Sequence, residues 1–278
     1  MSLIWPLVAV GVGFVLGIVG GSRALGRPDS IMRTNYAGRA IPVVMGQVLV
    51  SSANAGLLMA LGLALLAGPV PSWPTPLLAC GGAYLLLFVG ALDDRSSHEA
   101  RGIREHVGSF FRGTATTGIW KLVAGLAVSV VIAAELGGGP IRVVAATLVI
   151  ALSINVANAL DVRPGRALKW GLLVLVPLSV ALVARGIGFS VATAAYVGGA
   201  AGVARYDLAE RGMLGDAGSN PVGLVLGAGL ATALPISGLL VALAALLALQ
   251  LAAETVTISR MIEAVPPLRW FDRVGRRS

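Results

Sequence analysis

The chain has 278 residues, 56% of them hydrophobic and only 12% charged, and its mean hydropathy is +0.87. That balance excludes a soluble globular enzyme and predicts a polytopic membrane protein forming one domain over 1–278, because no polar stretch is long enough to fold apart. A formal net charge of +8 would suit a nucleic-acid binder, but the basic residues follow membrane topology, so no nucleic-acid partner is expected.

Apolar runs long enough to span recur at 3–20, 43–67, 74–92, 117–134, 142–160, 170–185, 188–204, 219–234 and 236–257. They predict an all-α bundle of about nine transmembrane helices. The first run has no basic residue ahead of it, so it reads as a retained span rather than a cleaved signal. The single cysteine, Cys80, lies inside an apolar run, and no internal disulfide can form. The 37 glycines allow close helix approach in lipid, and Gly13-x-x-x-Gly17 and Gly223-x-x-x-Gly227 read as packing faces.

The connections sort into two kinds. Those at 68–73, 136–142, 185–188 and 234–237 are short and nearly uncharged. The longer ones and the helix ends beside them carry all of the 21 basic residues except Arg142 and Arg185, and all of the 13 acidic residues except Glu135. The positive-inside rule makes that face cytoplasmic, with the N-terminus outside and the C-terminus inside, as an odd number of spans also requires. An active face is therefore expected on the cytoplasmic side of a plasma membrane.

Four stretches on that face carry candidate chemistry. The first connection reads Arg33-Thr-Asn35-Tyr36-Ala-Gly38-Arg39-Ala-Ile-Pro42, followed by Gly46. Pro42 suits a helix start, and the arginines before it can meet a phosphate. Positive-inside charge alone would explain the arginines but not the Asn-Tyr-x-Gly spacing.

The second stretch, Gly90-Ala-Leu-Asp93-Asp94, ends an apolar run. Two adjacent carboxylates at a membrane boundary repel each other and resist desolvation, and a divalent cation or basic partners would remove that penalty. A polar helix cap is the simpler account. Lys121 begins the next span, where it can snorkel to headgroups or bind a phosphate as a point charge. His98 and His106 lie between, without carboxylates or cysteines at metal-ligand spacing.

The third stretch is Asn155-Val-Ala-Asn158-Ala-Leu-Asp161-Val-Arg163-Pro164-Gly165-Arg166. Steps of three put Asn155, Asn158 and Asp161 roughly along one helix face, for interhelical bonding or for a ligand. Arg163 and Arg166 then add positive charge. The fourth, Gly215-Asp216-Ala-Gly218-Ser219-Asn220-Pro221, sets an aspartate between glycines, which allows close backbone approach to an ion. It predicts a helix start with Ser219 or Asn220 as the cap and Pro221 in the first turn.

Taken in order, these pieces resemble the polyprenyl-phosphate N-acetylhexosamine-1-phosphate transferase superfamily, whose members include the phospho-N-acetylmuramoyl-pentapeptide transferases. The resemblance rests on Asn-Tyr-x-Gly-Arg-x-Ile-Pro at 35–42, Gly-x-x-Asp-Asp at 90–94, Lys121, Asn-x-x-Asn-x-x-Asp at 155–161 and Gly-Asp-x-Gly-Ser at 215–219, and covers nearly the whole chain. It implies attack of a membrane polyprenyl phosphate on a nucleotide sugar, giving a polyprenyl-diphosphate sugar and a nucleoside monophosphate. It also implies Mg²⁺, or Mn²⁺ in its place, held by Asp216 with Asn158 and Asp94. Asp93 would activate or orient the lipid phosphate. Lys121, Asn155 and Asp161 would position phosphates or the nucleotide, with Asn35, Arg39, Arg163 and Arg166 as further substrate contacts. A homodimer accords with the resemblance and with the Gly-rich helices.

The chain departs from the family pattern in three places. No second aspartate closely follows Asp161, Met213 stands where an aromatic commonly precedes Gly-Asp-x-Gly-Ser, and there is no His-rich loop. The phosphotransfer residues are retained, while those tied to nucleotide and sugar recognition are changed. A non-catalytic polyprenyl-phosphate binding or transport protein is therefore the alternative expectation. An intramembrane prenyltransferase would need two spaced aspartate clusters, which the chain lacks. The segment from Thr257 to Arg277 has the basic and aromatic residues of a membrane-surface element, or could replace the missing loop.

Overall fold

In lipid a spanning backbone must satisfy its own N–H and C=O groups, and the apolar runs accordingly become helices. The computed structural model describes residues 3–27, 30–68, 73–95, 117–255 and 258–276, so His98 and His106 lie outside the described residues. The long helices are α1 (Ile4–Ala24), α2 (Met45–Ala67), α3 (Pro74–Arg95), α4 (Thr117–Leu136), α5 (Pro140–Leu160), α6 (Arg166–Ala184), α7 (Ser190–Leu208), α8 (Asp216–Ala233) and α9 (Ile236–Thr255). Two short helices follow, α10 (Ile258–Ala264) and α11 (Pro266–Arg273).

Among the described residues seven helices, α1 to α6 and α9, are long and apolar enough to cross a membrane. The chain is thus an all-α membrane helix bundle. The other two long helices, α7 and α8, are rich in Gly, Ala and Ser and are mostly buried inside the protein. Their neighbours are helices rather than lipid, so small residues for close packing matter more there than hydropathy.

Helix α8 is the centre of the bundle and packs against α2 to α7. Its Gly223 and Gly227 lie on the α5 backbone at Ser153–Ile154 and Ile150. Gly13 and Gly17 of α1 meet the Ala195–Gly202 face of α7 in the same way. Both small-residue motifs are therefore packing faces, as their spacing predicts.

The two basic residues on the sparsely charged side have a defined place. Arg142 donates to the Ala231 and Leu234 carbonyls at 2.8 and 2.9 Å, and Arg185 donates to the Ala233 carbonyl. Both therefore close the C-terminal end of α8, where orphan carbonyls and the negative dipole end favour cations. Arg142→Ala is expected to lower stability by about 1–2 kcal/mol, the scale of losing charge-assisted bonds at a partly exposed site. A thermal melt of purified protein would read it; an unchanged midpoint would remove Arg142 from this role.

At the opposite end the first connection does not run straight into a helix. It forms a two-stranded antiparallel hairpin, β1 (Met32–Thr34) and β2 (Ala40–Pro42), with Arg33 opposite Ile41. The turn closes because Asn35 Oδ1 accepts from Ala37 N and Arg39 N at 2.9 Å each, and Gly38 takes the left-handed φ of +77°. Pro42 therefore ends a strand, and α2 starts at Met45. The Pro42 carbonyl accepts from Met213 N at 2.8 Å, and Met213 O accepts from Met45 N at 3.0 Å, which ties the hairpin to the turn before α8.

Candidate functional site

The N-terminal turn of α8 is assembled from other helices. Asp216 N–H and Ala217 N–H donate to Asp94 Oδ1 and Oδ2 at 3.3 and 3.2 Å. The Gly215 and Leu214 N–H groups lie near the Asp161 and Asp207 carboxyls. The α3 carboxylate of Asp94 thus takes the first two N–H groups of α8, with Asp161 and Asp207 close by, where the positive end of the helix dipole favours negative charge. The helix begins at Asp216, earlier than Ser219 or Asn220 acting as cap would put it, and Pro221 lies inside it. Non-local caps replace the local ones that the sequence pattern predicts.

This clamp needs short distances. A Cβ on Gly90 would sit 2.7 Å from Ala217 N and from the Asp216 carbonyl, and one on Gly46 would sit 2.4 Å from Gly218 N and Leu214 O. Glycines on α3 and α2 are therefore what lets the Asp216 turn seat against both helices.

With its backbone fixed, Asp216 presents its carboxylate to a polar cluster. Lys121 Nζ donates to Asp93 Oδ2 at 3.1 Å and also pairs with Asp216. Asn158 stands 2.7 Å from Asp216 Oδ1 and 3.0 Å from Lys121 Nζ; hydrogen bonding turns its amide nitrogen to the carboxylate and its oxygen to the ammonium. Asp93, Asp216 and Lys121 side chains are all mostly buried. Two carboxylates and an amide gathered on one ammonium form a compact polar site of the kind that also accepts a cation.

A cavity of about 680 Å³ opens beside this cluster. Asp216, Asn158, Asp161 and Asp207 line its acidic side, and Arg33, Tyr36, Arg163 and Met213 line the rest. Burial, then the charges of Asp207, Asp216 and Asp94, push the Asp161 carboxyl well above the usual carboxylate range. Across the cavity the Arg163 guanidinium lies over the Tyr36 ring, 4.5 Å from its centroid. Such a flat cationic and aromatic pair can receive a planar or anionic ligand group.

The expected site residues divide into two groups. Asp93, Lys121, Asn158, Asp161, Arg163 and Asp216 converge on the cluster and cavity. Asp94 also lies there, but its oxygens are engaged by backbone N–H groups and by Arg33 Nη1 at 3.2 Å, so it builds the turn. Asn155 donates to Gln250 of α9 at 2.9 Å and is absent from the cavity lining. The cause is helical drift: each step of three falls about 60° short of a full turn, so Asn155 and Asp161 point about 120° apart. Asn35 lines the cavity, yet its amide donates to Glu210 Oε2 at 2.7 Å, and Arg39 pairs with the same carboxylate. Arg166 is buried against Asp272.

Three residues missing from the expected set belong to the site. Tyr36 lines the cavity beside Arg33, Asp207 holds Gly165, and Glu210 anchors the hairpin through Asn35, Arg39 and Tyr36. A signal for the last two was present, since Asp207 and Glu210 are acidic residues at a span end on the charged face. Among the described residues no group of three His, Cys, Asp or Glu side chains is arranged to hold a metal ion. The donors at the cluster are instead two carboxylates and an amide oxygen, a hard oxygen set. No protein-family model matches this chain, and no curated protein does.

Proposed function

We propose that the protein transfers a sugar-1-phosphate from a nucleotide-activated sugar to a polyprenyl phosphate at the cytoplasmic face of the plasma membrane. The observation that carries this reading is the convergence of Asp93, Asp216, Asn158 and Lys121 at the charged end of a membrane bundle, beside a cavity large enough for a small ligand. Membrane-boundary placement suits an acceptor whose tail stays in lipid and whose phosphate meets a water-soluble donor.

Mg²⁺ fits the donor set, because this ion commonly uses one or two carboxylates and completes its shell with water and substrate phosphates. Asp216, Asp93 and the Asn158 oxygen would hold it, the amide reversing its present orientation to do so, and Asp94 would support them from behind. When bound, the ion neutralises charge on the transferring phosphoryl group. Lys121 supplies a point charge to a phosphate oxygen, and Arg33 and Arg163 orient the diphosphate by forked donation. Asp93 would orient the attacking lipid phosphate. These contacts hold two anions in line, which is most of what phosphoryl transfer requires.

The test is nucleoside monophosphate release from a panel of nucleotide sugars, with polyprenyl phosphate and Mg²⁺. Release is expected to disappear with EDTA and to return with Mg²⁺ or Mn²⁺. A second reading, a non-catalytic polyprenyl-phosphate binder, draws on the internal pairing of Asn35, Arg39 and Arg166. No release from any donor by folded, lipid-loaded protein would decide for that reading and against the transferase.

A further inference from the structure

The stretch 163–170 joins the cavity wall to α6, and the C-terminal arm 258–276 grips it at several points. Arg166 Nε and Nη2 donate to the two Asp272 oxygens at 2.8 and 2.9 Å, and Arg276 Nη2 meets Oδ2 at 2.8 Å. Arg166 Nη1 continues to Ser259 Oγ at 2.8 Å. Arg276 Nε donates to the Pro164 carbonyl at 2.9 Å, and Lys169 Nζ donates to the Phe271 and Val274 carbonyls at 3.0 Å each. Trp170 meets Phe271 edge to face at 5.1 Å.

This is more than an arm needs in order to lie on a membrane surface. The Arg166 and Asp272 side chains are 1% and 6% exposed, and a buried ion pair carries a desolvation cost that only close geometry offsets. Burial opposes the Asp272 carboxylate, but Arg166 and Arg276 outweigh it and hold the group below the usual carboxylate range. One of these contacts, Arg276 Nε to the Pro164 carbonyl, reaches the backbone between Asp161 and Arg166, and Arg166 itself ends that stretch. Arg163 and Pro164 of that stretch line the cavity, and Gly165 N–H is fixed from the inner side by Asp207 Oδ2 at 2.7 Å. The wall is thus pinned from the bundle by Asp207 and from the arm by Arg276, with Asp272 holding both arginines.

We propose that Asp272 is a positioning residue for the cavity: through Arg166 and Arg276 it fixes the 161–165 backbone and so places Asp161 and Arg163 against a bound nucleotide donor. Only the donor readout below rests on the transferase reading; the positioning itself is read separately.

The experiment compares Asp272→Asn, Asp272→Glu and Arg276→Gln with wild type, all as the full chain in nanodiscs. Backbone hydrogen exchange reads the wall, and initial rates against nucleotide-sugar concentration read the donor. Asp272→Asn is expected to speed exchange across 161–166 by about tenfold or more while the middle of α8 stays protected. It should raise KM for the donor about tenfold and leave kcat within about threefold. Asp272→Glu, which keeps the charge, should stay within about threefold of wild type in both readouts. Arg276→Gln keeps the Arg166 pair and should loosen the wall less than Asp272→Asn does. Unchanged exchange at 161–166 in both neutralised variants would overturn the proposal. So would an equal rise throughout the bundle, or a loosened wall with unchanged KM. Should wild type release no nucleotide, the transferase reading falls, and the exchange pattern still decides whether Asp272 sets the wall.

Discussion

Asp216→Asn is expected to reduce nucleoside monophosphate release by roughly 10²–10³-fold or more, the scale of removing one preorganised electrostatic contact from a transition state. The substitution keeps the shape of the side chain. It leaves the turn in place as well, because the N–H groups of 216 and 217 bond Asp94 rather than the Asp216 side chain. What it removes is the carboxylate that Lys121 and Asn158 share. Thermal stability should therefore stay close to wild type while turnover collapses. A variant that retained a tenth of wild-type turnover at saturating Mg²⁺ would show that Asp216 is not at the reacting phosphorus. Asp94→Asn should behave differently and lose stability together with activity, since it weakens the cap on α8.

Gly90→Ala tests the same site through packing. The added carbon would stand 2.7 Å from backbone atoms of Asp216 and Ala217, and backbone cannot rotate away as a flexible side chain can. Either α3 or the N-terminus of α8 must shift, which moves Asp216 relative to Asp93 and Lys121. A displacement near 1 Å at a reacting centre can cost about 10²-fold in rate, and overpacking typically costs about 1–3 kcal/mol. Gly46→Ala, with 2.4 Å contacts on the opposite side of the turn, should be at least as damaging. Gly62→Ala is the control: nothing lies within 4 Å of its added carbon, and alanine favours a helix by about 0.5–1 kcal/mol. Full activity and stability in Gly90→Ala would mean that the turn is not seated as tightly as this packing requires.

The apolar runs made the long helices legible because lipid leaves a spanning backbone few alternatives. The charge distribution along the chain groups Asp93, Lys121, Asp161 and Asp216 on one face, and Asn158 sits at the same span end as Asp161. The Arg33–Pro42 stretch is harder to read, since Pro42 suits a helix start as well as a strand end, and its pairing with Met32 and bond with Met213 distinguish them. Asn155 is a related case. Spacing placed it near Asn158, but the approach of Gln250 from α9 determines which way it is used.

The sequence by itself therefore determined the membrane class, the approximate spans, the small-residue packing faces and the membrane face on which polar chemistry gathers. Each of these depends on composition or on periodicity along one segment. Only the tertiary structure decided what each polar side chain does. It made Asp94 the cap of α8, set Asp207 on Gly165, gave Arg142 and Arg185 the far end of α8, and paired Asn35 and Arg39 with Glu210 and Arg166 with Asp272. A buried polar group must find a partner, and in this bundle the partners lie on helices far apart in the chain, where no local pattern could reveal them.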